Sequence, residues 1–217
     1  RKLRGVSFTY TEPAVAPEFV ADLAELARAA GLLPTMCTGG YVSPGPLRRL
    51  LKPFAAVTVT YKGATEQFYR DVCGGSLRPV LDAMVQVQAE KKWLEVATLV
   101  VPTLNDEPKL LEAMARWIAR HLGADTPWHL ERFVPMYKLT NLLATPQATL
   151  ERARRIGRDA GLRFVYVSNL APHEGNHTYC PRCGEAAVLR LGFHVLANRL
   201  REGACARCGA ALPGLWK

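Results

Sequence analysis

Four cysteines near the C-terminus have the type and spacing to hold a metal ion. Cys180-Pro-Arg-Cys183 and Cys205-Ala-Arg-Cys208 are two Cys-x-x-Cys pairs separated by 21 residues, each followed at once by a glycine. Two thiolates two residues apart on a tight turn grip one face of a tetrahedral ion. A second such turn closes the shell without a water ligand, the pattern of a structural Zn2+ site. Gly184 and Gly209 fall where such a knuckle needs positive φ, which glycine supplies without a Cβ clash. The competing reading is two disulfides in a secreted domain; paired Cys-x-x-Cys spacing with no visible secretory signal favours metal. Cys37 and Cys73 are lone thiols in apolar surroundings, so a reducing, cytoplasmic location is expected.

The elements that must position chemistry elsewhere alternate between strand-like and helix-like patterns. Val6 to Tyr10 alternates as a strand, followed by Pro17 to Ala30, where Phe19, Val20, Leu23, Leu26, Ala27 and Ala30 share one helical face. Further strands are expected at Pro34–Thr38, Ala55–Tyr61, Trp93–Val101, Pro127–Phe133 and Arg163–Val167. Helices are expected from Ser43-Pro44 to Lys52, Glu66 to Val72, Leu77 to Lys91 and Glu107 to His121, and from Thr145-Pro146 to Gly161. Asn105 and Asp106 read as caps of the fourth of these, and Thr145 as the N-cap of the last. Strands joined by helical crossovers run parallel, so the fold class is α/β, with about six βα units over residues 1–172 and a four-cysteine zinc-binding module over 173–217.

In a parallel sheet, functional groups gather at the carboxyl ends of the strands. Here those ends carry Thr11-Glu12, Thr38-Gly39-Gly40, Lys62, Thr103 to Asp106, Arg132 and Asn169. The composition, 49% hydrophobic and 22% charged with a formal charge of +9, fits a globular domain with no apolar run long enough to cross a bilayer. Arg152, Arg154, Arg155, Arg158 and Arg163 cluster, which reads as a solvated helix face or, in the alternative, a patch for an anionic partner. No dense basic stripe interleaved with stacking aromatics is present, which argues against nucleic acid as a partner.

The strand ends carry a resemblance. Phe8-Thr9-Tyr10-Thr11-Glu12-Pro13, Phe68-Tyr69-Arg70-Asp71-Val72-Cys73-Gly74, Thr98-Leu99-Val100-Val101-Pro102 with Asn105-Asp106, and Trp128-His129 with Arg132-Phe133 resemble, in order, stretches of the radical S-adenosylmethionine (SAM) enzymes of the AmmeMemoRadiSam type. These are relatives of the pyruvate formate-lyase activating enzyme. The tail, from His173-Glu174-Gly175-Asn176-His177 through both cysteine pairs to Pro213-Gly214-Leu215-Trp216, is similar to that family's zinc module.

The resemblance implies a partial (β/α) barrel of the radical SAM type in which a [4Fe–4S] cluster reductively cleaves SAM to a 5′-deoxyadenosyl radical. It places Glu12, Thr38 and Gly39 near the methionyl end of SAM, and Lys62 against its carboxylate. The family's Cys-x-x-x-Cys-x-x-Cys cluster motif is not in these 217 residues. The first matching stretch corresponds to the family's second strand, so the cluster-binding first unit would lie outside this sequence. Three family positions also differ: Gly39 stands for an asparagine, Thr60 for an aspartate and Val134 for a histidine, which removes an amide, a carboxylate and an imidazole. Two functions follow: an oxidoreductase of the radical SAM class, or a degenerate scaffold that keeps its zinc and binds a protein partner or protein substrate.

Overall fold

The computed structural model describes residues 3–216. Six parallel strands form one sheet in sequence order: β1 (Gly5–Phe8), β2 (Leu33–Thr38), β3 (Ala56–Thr60), β4 (Trp93–Val100), β5 (Trp128–Arg132) and β6 (Val165–Ser168). Between them run α1 (Pro17–Ala29), α2 (Pro44–Leu51), the short α3 (Glu66–Phe68) with a π-helical turn (Tyr69–Cys73), α4 (Arg78–Ala89), α5 (Pro108–His121) and α6 (Gln147–Asp159). The chain divides into two compact units, Arg1–Ala97 and Thr98–Lys217. Among the described residues no helix is long and apolar enough to cross a membrane.

In the first unit, alternation along the strands separates two faces. Met36, Val57, Val59 and Leu94 are buried, with Phe54, Leu47, Leu51, Val80 and Met84 also in the core. The residues between them are polar: Ser7 pairs in register with Thr35, Cys37 with Thr58, and Thr58 with Glu95. Parallel strands covered on both faces read as continuous apolar runs, so a half-exposed row of hydroxyls and a carboxylate marks a face kept for something other than packing.

Helix α1 departs from its sequence reading. Periodicity predicts a covered apolar face, and Val20 and Ala24 are buried, yet Phe19 (65% exposed), Leu23 and Leu26 (67% exposed) face outward at i, i+4 and i+7. The angular spread of the apolar residues is wider than the surface β1 and β2 offer, and β1 is the first strand in the sheet order.

In the second unit, Trp128 and Leu130 of β5 and Val167 of β6 are fully buried. A Cβ at Gly157 of α6 would lie 3.0 Å from both Trp128 and Val165, so glycine permits the close approach of helix and sheet. After β6, a 3-10 turn (Glu174–Asn176) leads to β7 (Thr178–Tyr179), which forms an antiparallel sheet with β8 (Ala186–Leu191) and β9 (His194–Asn198); β10 (Leu200–Arg201) pairs with β11 (Ala204–Cys205). The segment between β6 and β7 is bound tightly. Asn176 Nδ2 donates to the carbonyls of Val167 (2.8 Å) and Leu170 (3.0 Å), and Tyr166 Oη meets Thr178 Oγ1 at 2.9 Å.

Two capping expectations resolve differently. Thr145 does not cap α6, whose N-cap is Pro146. Instead its buried hydroxyl donates to the Val100 carbonyl (2.6 Å) and accepts from the Phe133 amide (2.9 Å), joining the ends of β4 and β5. Asn105 and Asp106 likewise fold their own loop: Asn105 Oδ1 accepts from Val101 N–H (2.7 Å) and Asp106 Oδ1 from Thr103 N–H (2.8 Å), while the N-cap Glu107 makes no side-chain cap bond.

Candidate functional site

The two Cys-x-x-Cys turns converge. Cys180 Sγ lies 3.6 Å from Cys208 Sγ and Cys183 Sγ 3.7 Å from Cys205 Sγ, and all four sulfurs fall within 4.8 Å of one another. A tetrahedral ion with metal–sulfur bonds of about 2.3 Å sets its ligands about 3.8 Å apart, whereas a disulfide needs about 2.05 Å. The turns are built alike. Gly184 N–H bonds to the Cys180 carbonyl (2.9 Å) at φ 72°, and Gly209 N–H to the Cys205 carbonyl (2.8 Å) at φ 71°.

Phe164, Ala187 and Leu212 are buried around the cysteines, with Tyr166, Leu200 and Ala210 packed beside them. Burial works against a thiolate at Cys180, yet the backbone amides of Cys183 and Arg182 and the neighbouring sulfurs draw it down to about 7. At Cys183 the Glu185 amide lowers the pKa, but burial and the Cys208, Cys180 and Cys205 sulfurs outweigh it and push it up to about 12. Sulfurs this close share negative charge only when a cation sits among them, so the donor set fits a metal ion.

The strand-end residues of the first unit form a second cluster. Glu12 caps the 3-10 turn Pro13–Val15, its Oε1 accepting from Ala14 N–H (3.2 Å) and from Thr38 Oγ1 (2.5 Å). Glu12 Oε2 accepts from Gly39 N–H at 2.7 Å. The carboxylate thus ties the loop after β1 to the end of β2. A carboxylate has about four lone-pair sites, so these three donors leave one direction for a further donor. Lys62 is exposed at the end of β3; its backbone N–H donates to the buried Tyr69 hydroxyl (3.0 Å), whose pKa burial raises to about 12. Cys73 is half-buried; burial raises its pKa, and Lys62 pulls it partly back.

Other candidates are spent on structure. His129 stacks on Tyr166 with ring centroids 5.0 Å apart, and Arg132 Nε donates to the Thr145 carbonyl (3.0 Å). His173 Nδ1 accepts from Gly175 N–H (2.9 Å) and His177 Nδ1 from Arg190 N–H (3.1 Å). Of the arginine cluster, Arg152, Arg155, Arg158 and Arg163 are exposed as expected. Arg154 is buried, donating from Nη1 to Glu174 Oε1 (2.5 Å) and from Nε to the Val165 carbonyl (3.2 Å). Residue types did not reveal this, because Arg154 sits one helical step from its solvated neighbours.

One group escaped the sequence reading. Glu131 lies on the strand face opposite Trp128 and Leu130, partly buried, and burial raises its pKa while His129 lowers it. Only its place in the period-2 alternation, one residue after the buried Leu130, could have signalled it.

No family model matches the chain. It is 39% identical over 207 residues to Uncharacterized protein MJ0808 of Methanocaldococcus jannaschii, over 94% of this chain and 61% of that protein. The chain thus spans about three-fifths of the relative's length. Among solved structures it is similar to a domain of pyruvate-formate lyase-activating enzyme from Bacteroides vulgatus (TM-score 0.67, 15% identity, 76% of this chain and 99% of that one). It is also similar to a radical SAM methyltransferase from Sphaerobacter thermophilus (TM-score 0.63, 15% identity, 83% of this chain and 55% of that one). The alternation of six parallel strands with helices is therefore the partial (β/α) barrel fold of radical SAM enzymes, joined to a C-terminal four-cysteine module of the zinc-ribbon kind.

Proposed function

We propose that this chain is the greater part of a radical SAM oxidoreductase of the AmmeMemoRadiSam type whose iron–sulfur ligands lie outside these 217 residues. The observation that carries the reading is the fold likeness to a pyruvate-formate lyase-activating enzyme domain, which this chain covers almost end to end. The outward Phe19, Leu23 and Leu26 support it, since they suit burial by a preceding βα unit lying along β1. In this reading Glu12 would receive the ammonium of SAM in its remaining acceptor direction, with Thr38 and Gly39 fixing the carboxylate, and Lys62 would meet the methionyl carboxylate. When bound, the cluster and SAM supply one-electron reductive cleavage of the sulfonium. The chain's part is to hold the methionyl end at the strand termini.

The ion of the cysteine module is zinc in this proposal, and structural, because four thiolates fill a tetrahedral shell and leave no open position for substrate. A second reading, a degenerate scaffold that binds a protein partner, is favoured by one observation: Gly39, Thr60 and Val134 lack the amide, carboxylate and imidazole the family carries there. Anaerobic reconstitution of the full natural gene product with iron and sulfide separates the two. Iron uptake and 5′-deoxyadenosine formation under reducing conditions are expected; one zinc per chain with neither would leave the scaffold.

A further inference from the structure

A shallow cavity at the open edge of the sheet is lined by cations and N–H donors and by no carboxylate. β6 is the last strand in the sheet order, and Trp128 N–H bonds to the Phe164 carbonyl (2.9 Å). Alternation therefore turns the N–H and carbonyl of Val165 to the unpaired edge. Arg154 and Arg158, four residues apart on one face of α6, line the cavity there. Arg163 joins them from the turn before β6, and His177 and Tyr179 from the start of the ribbon. The cavity measures about 20 Å3, where one water needs about 10–15 Å3; it can seat the head of one compact group and not a ring.

Several of its donors are unused. Arg154 is 9% exposed, with Nε on the Val165 carbonyl (3.2 Å) and Nη1 on Glu174 Oε1 (2.5 Å), but among the described residues Nη2 has no acceptor. A buried guanidinium with an open pair of N–H groups is a donor held in place before any ligand arrives. The Tyr179 ring, 5.9 Å from that guanidinium, backs it. His177 Nδ1 accepts from Arg190 N–H (3.1 Å), which leaves the proton of the neutral ring on Nε2 as a further donor. Arg163 Nη2 lies on Asp125 Oδ2 (2.6 Å). Glu174 and Asp125 thus offset Arg154 and Arg163 without lining the cavity, while Arg158 has no carboxylate partner among the described residues. One positive charge is left uncompensated.

We infer that this cavity binds the phosphate head of a small phosphate monoester. A site that offers donors, net positive charge and no acceptor recognises a dianion, whose oxygens take charge-assisted N–H bonds, and the guanidinium fork matches two phosphate oxygens at once. A neutral ligand forgoes the Coulomb attraction, and a cation is repelled. The site is built from α6, the edge of β6 and the ribbon, at the start of a strand and not at the strands' carboxyl ends. It therefore goes beyond the radical SAM reading and does not rest on it.

The probe is methyl phosphate, titrated calorimetrically at constant ionic strength into the zinc-loaded full-length protein, above the second ionisation of a phosphate monoester at about pH 6. Saturable binding at one site is expected, and inorganic phosphate should bind there too. Arg158→Gln should weaken affinity about tenfold or more, the loss of one charge-assisted contact. Arg158→Lys, which keeps the charge without the fork, should fall between. Arg155→Gln, at an exposed neighbour that does not line the cavity, should stay within about twofold, the effect of a screened surface charge. Retained zinc and an unchanged unfolding midpoint establish that the variants fold. Dimethyl phosphate, a monoanion with two oxygens esterified, should bind at least about tenfold more weakly. No saturable binding, unchanged affinity in Arg158→Gln, or equal losses at Arg155 and Arg158 would each overturn the assignment. So would dimethyl phosphate bound as tightly as the monoester, the mark of a nucleic-acid backbone, or inorganic phosphate bound and methyl phosphate rejected. Failure of SAM to bind would leave it untouched.

Discussion

Replacing Thr145 with valine removes two hydrogen bonds and almost no volume. The hydroxyl both donates to the Val100 carbonyl and accepts from the Phe133 amide, and Thr145, Val100 and Phe133 are all buried. Valine leaves the Phe133 amide without that acceptor and the carbonyl without that donor. At about 1–3 kcal/mol for a buried group left unsatisfied, and less for a carbonyl with a second lone pair, the expected loss is about 2–4 kcal/mol. Thr145→Ser keeps both bonds and loses one methyl, about 1 kcal/mol. Urea unfolding with zinc saturating reads the stability difference, and hydrogen exchange at the Phe133 amide reads its location. A valine variant within about 0.5 kcal/mol of wild type, as judged by the ~1 kcal/mol scale for one bond, or a serine variant as unstable as valine, would refute the account.

Three further outcomes follow from the structure. Cys183→Ser should weaken metal binding by about a hundredfold, roughly a quarter of the ~10–16 kcal/mol typical of a four-ligand zinc site; a competitive chelator titration measures it, and unchanged affinity would mean that Cys183 is not a ligand. Gly157→Val should cost about 2–3 kcal/mol by overpacking, since even its Cβ meets Trp128 and Val165 at 3.0 Å; an unchanged unfolding midpoint would contradict that packing. Burial raises the Glu131 pKa in the folded state, so the folded protein holds this proton more tightly than the unfolded chain. Stability therefore falls as pH rises through the ordinary carboxyl range, and Glu131→Gln should be more stable than wild type at neutral pH, the gain vanishing below about pH 4. A gain that grows on acidification would reverse the sign and remove the burial argument.

What could be read from the sequence was mostly local. The two cysteine turns were legible because spacing and a following glycine fix a knuckle within a few residues. The βα alternation was legible because strand and helix periods differ. Long-range bonding was hidden. Thr145-Pro146 has the form of a helix start, yet the hydroxyl is used 45 residues back in sequence, at Val100. Helix α1 shows the same limit: periodicity reveals that an apolar face exists, and only the neighbouring elements decide how much of it is covered. Glu131 reads as an ordinary strand-surface acid, and its partial burial is a fact about three dimensions.

Arg154 changes how the cysteine module should be regarded. With its guanidinium clasped between Glu174 and the β6 backbone, and Tyr179 5.9 Å away against its charge, the helix before the sixth strand and the ribbon after it share one keystone. Trimming the chain just past β6 would strand that cation with no anion and leave the Val167 carbonyl without its Asn176 donor. Withholding a metal ion from the four cysteines should therefore soften the end of the barrel sheet as well as the ribbon, so that emptying of the cysteine site and slackening of β6 register as a single event.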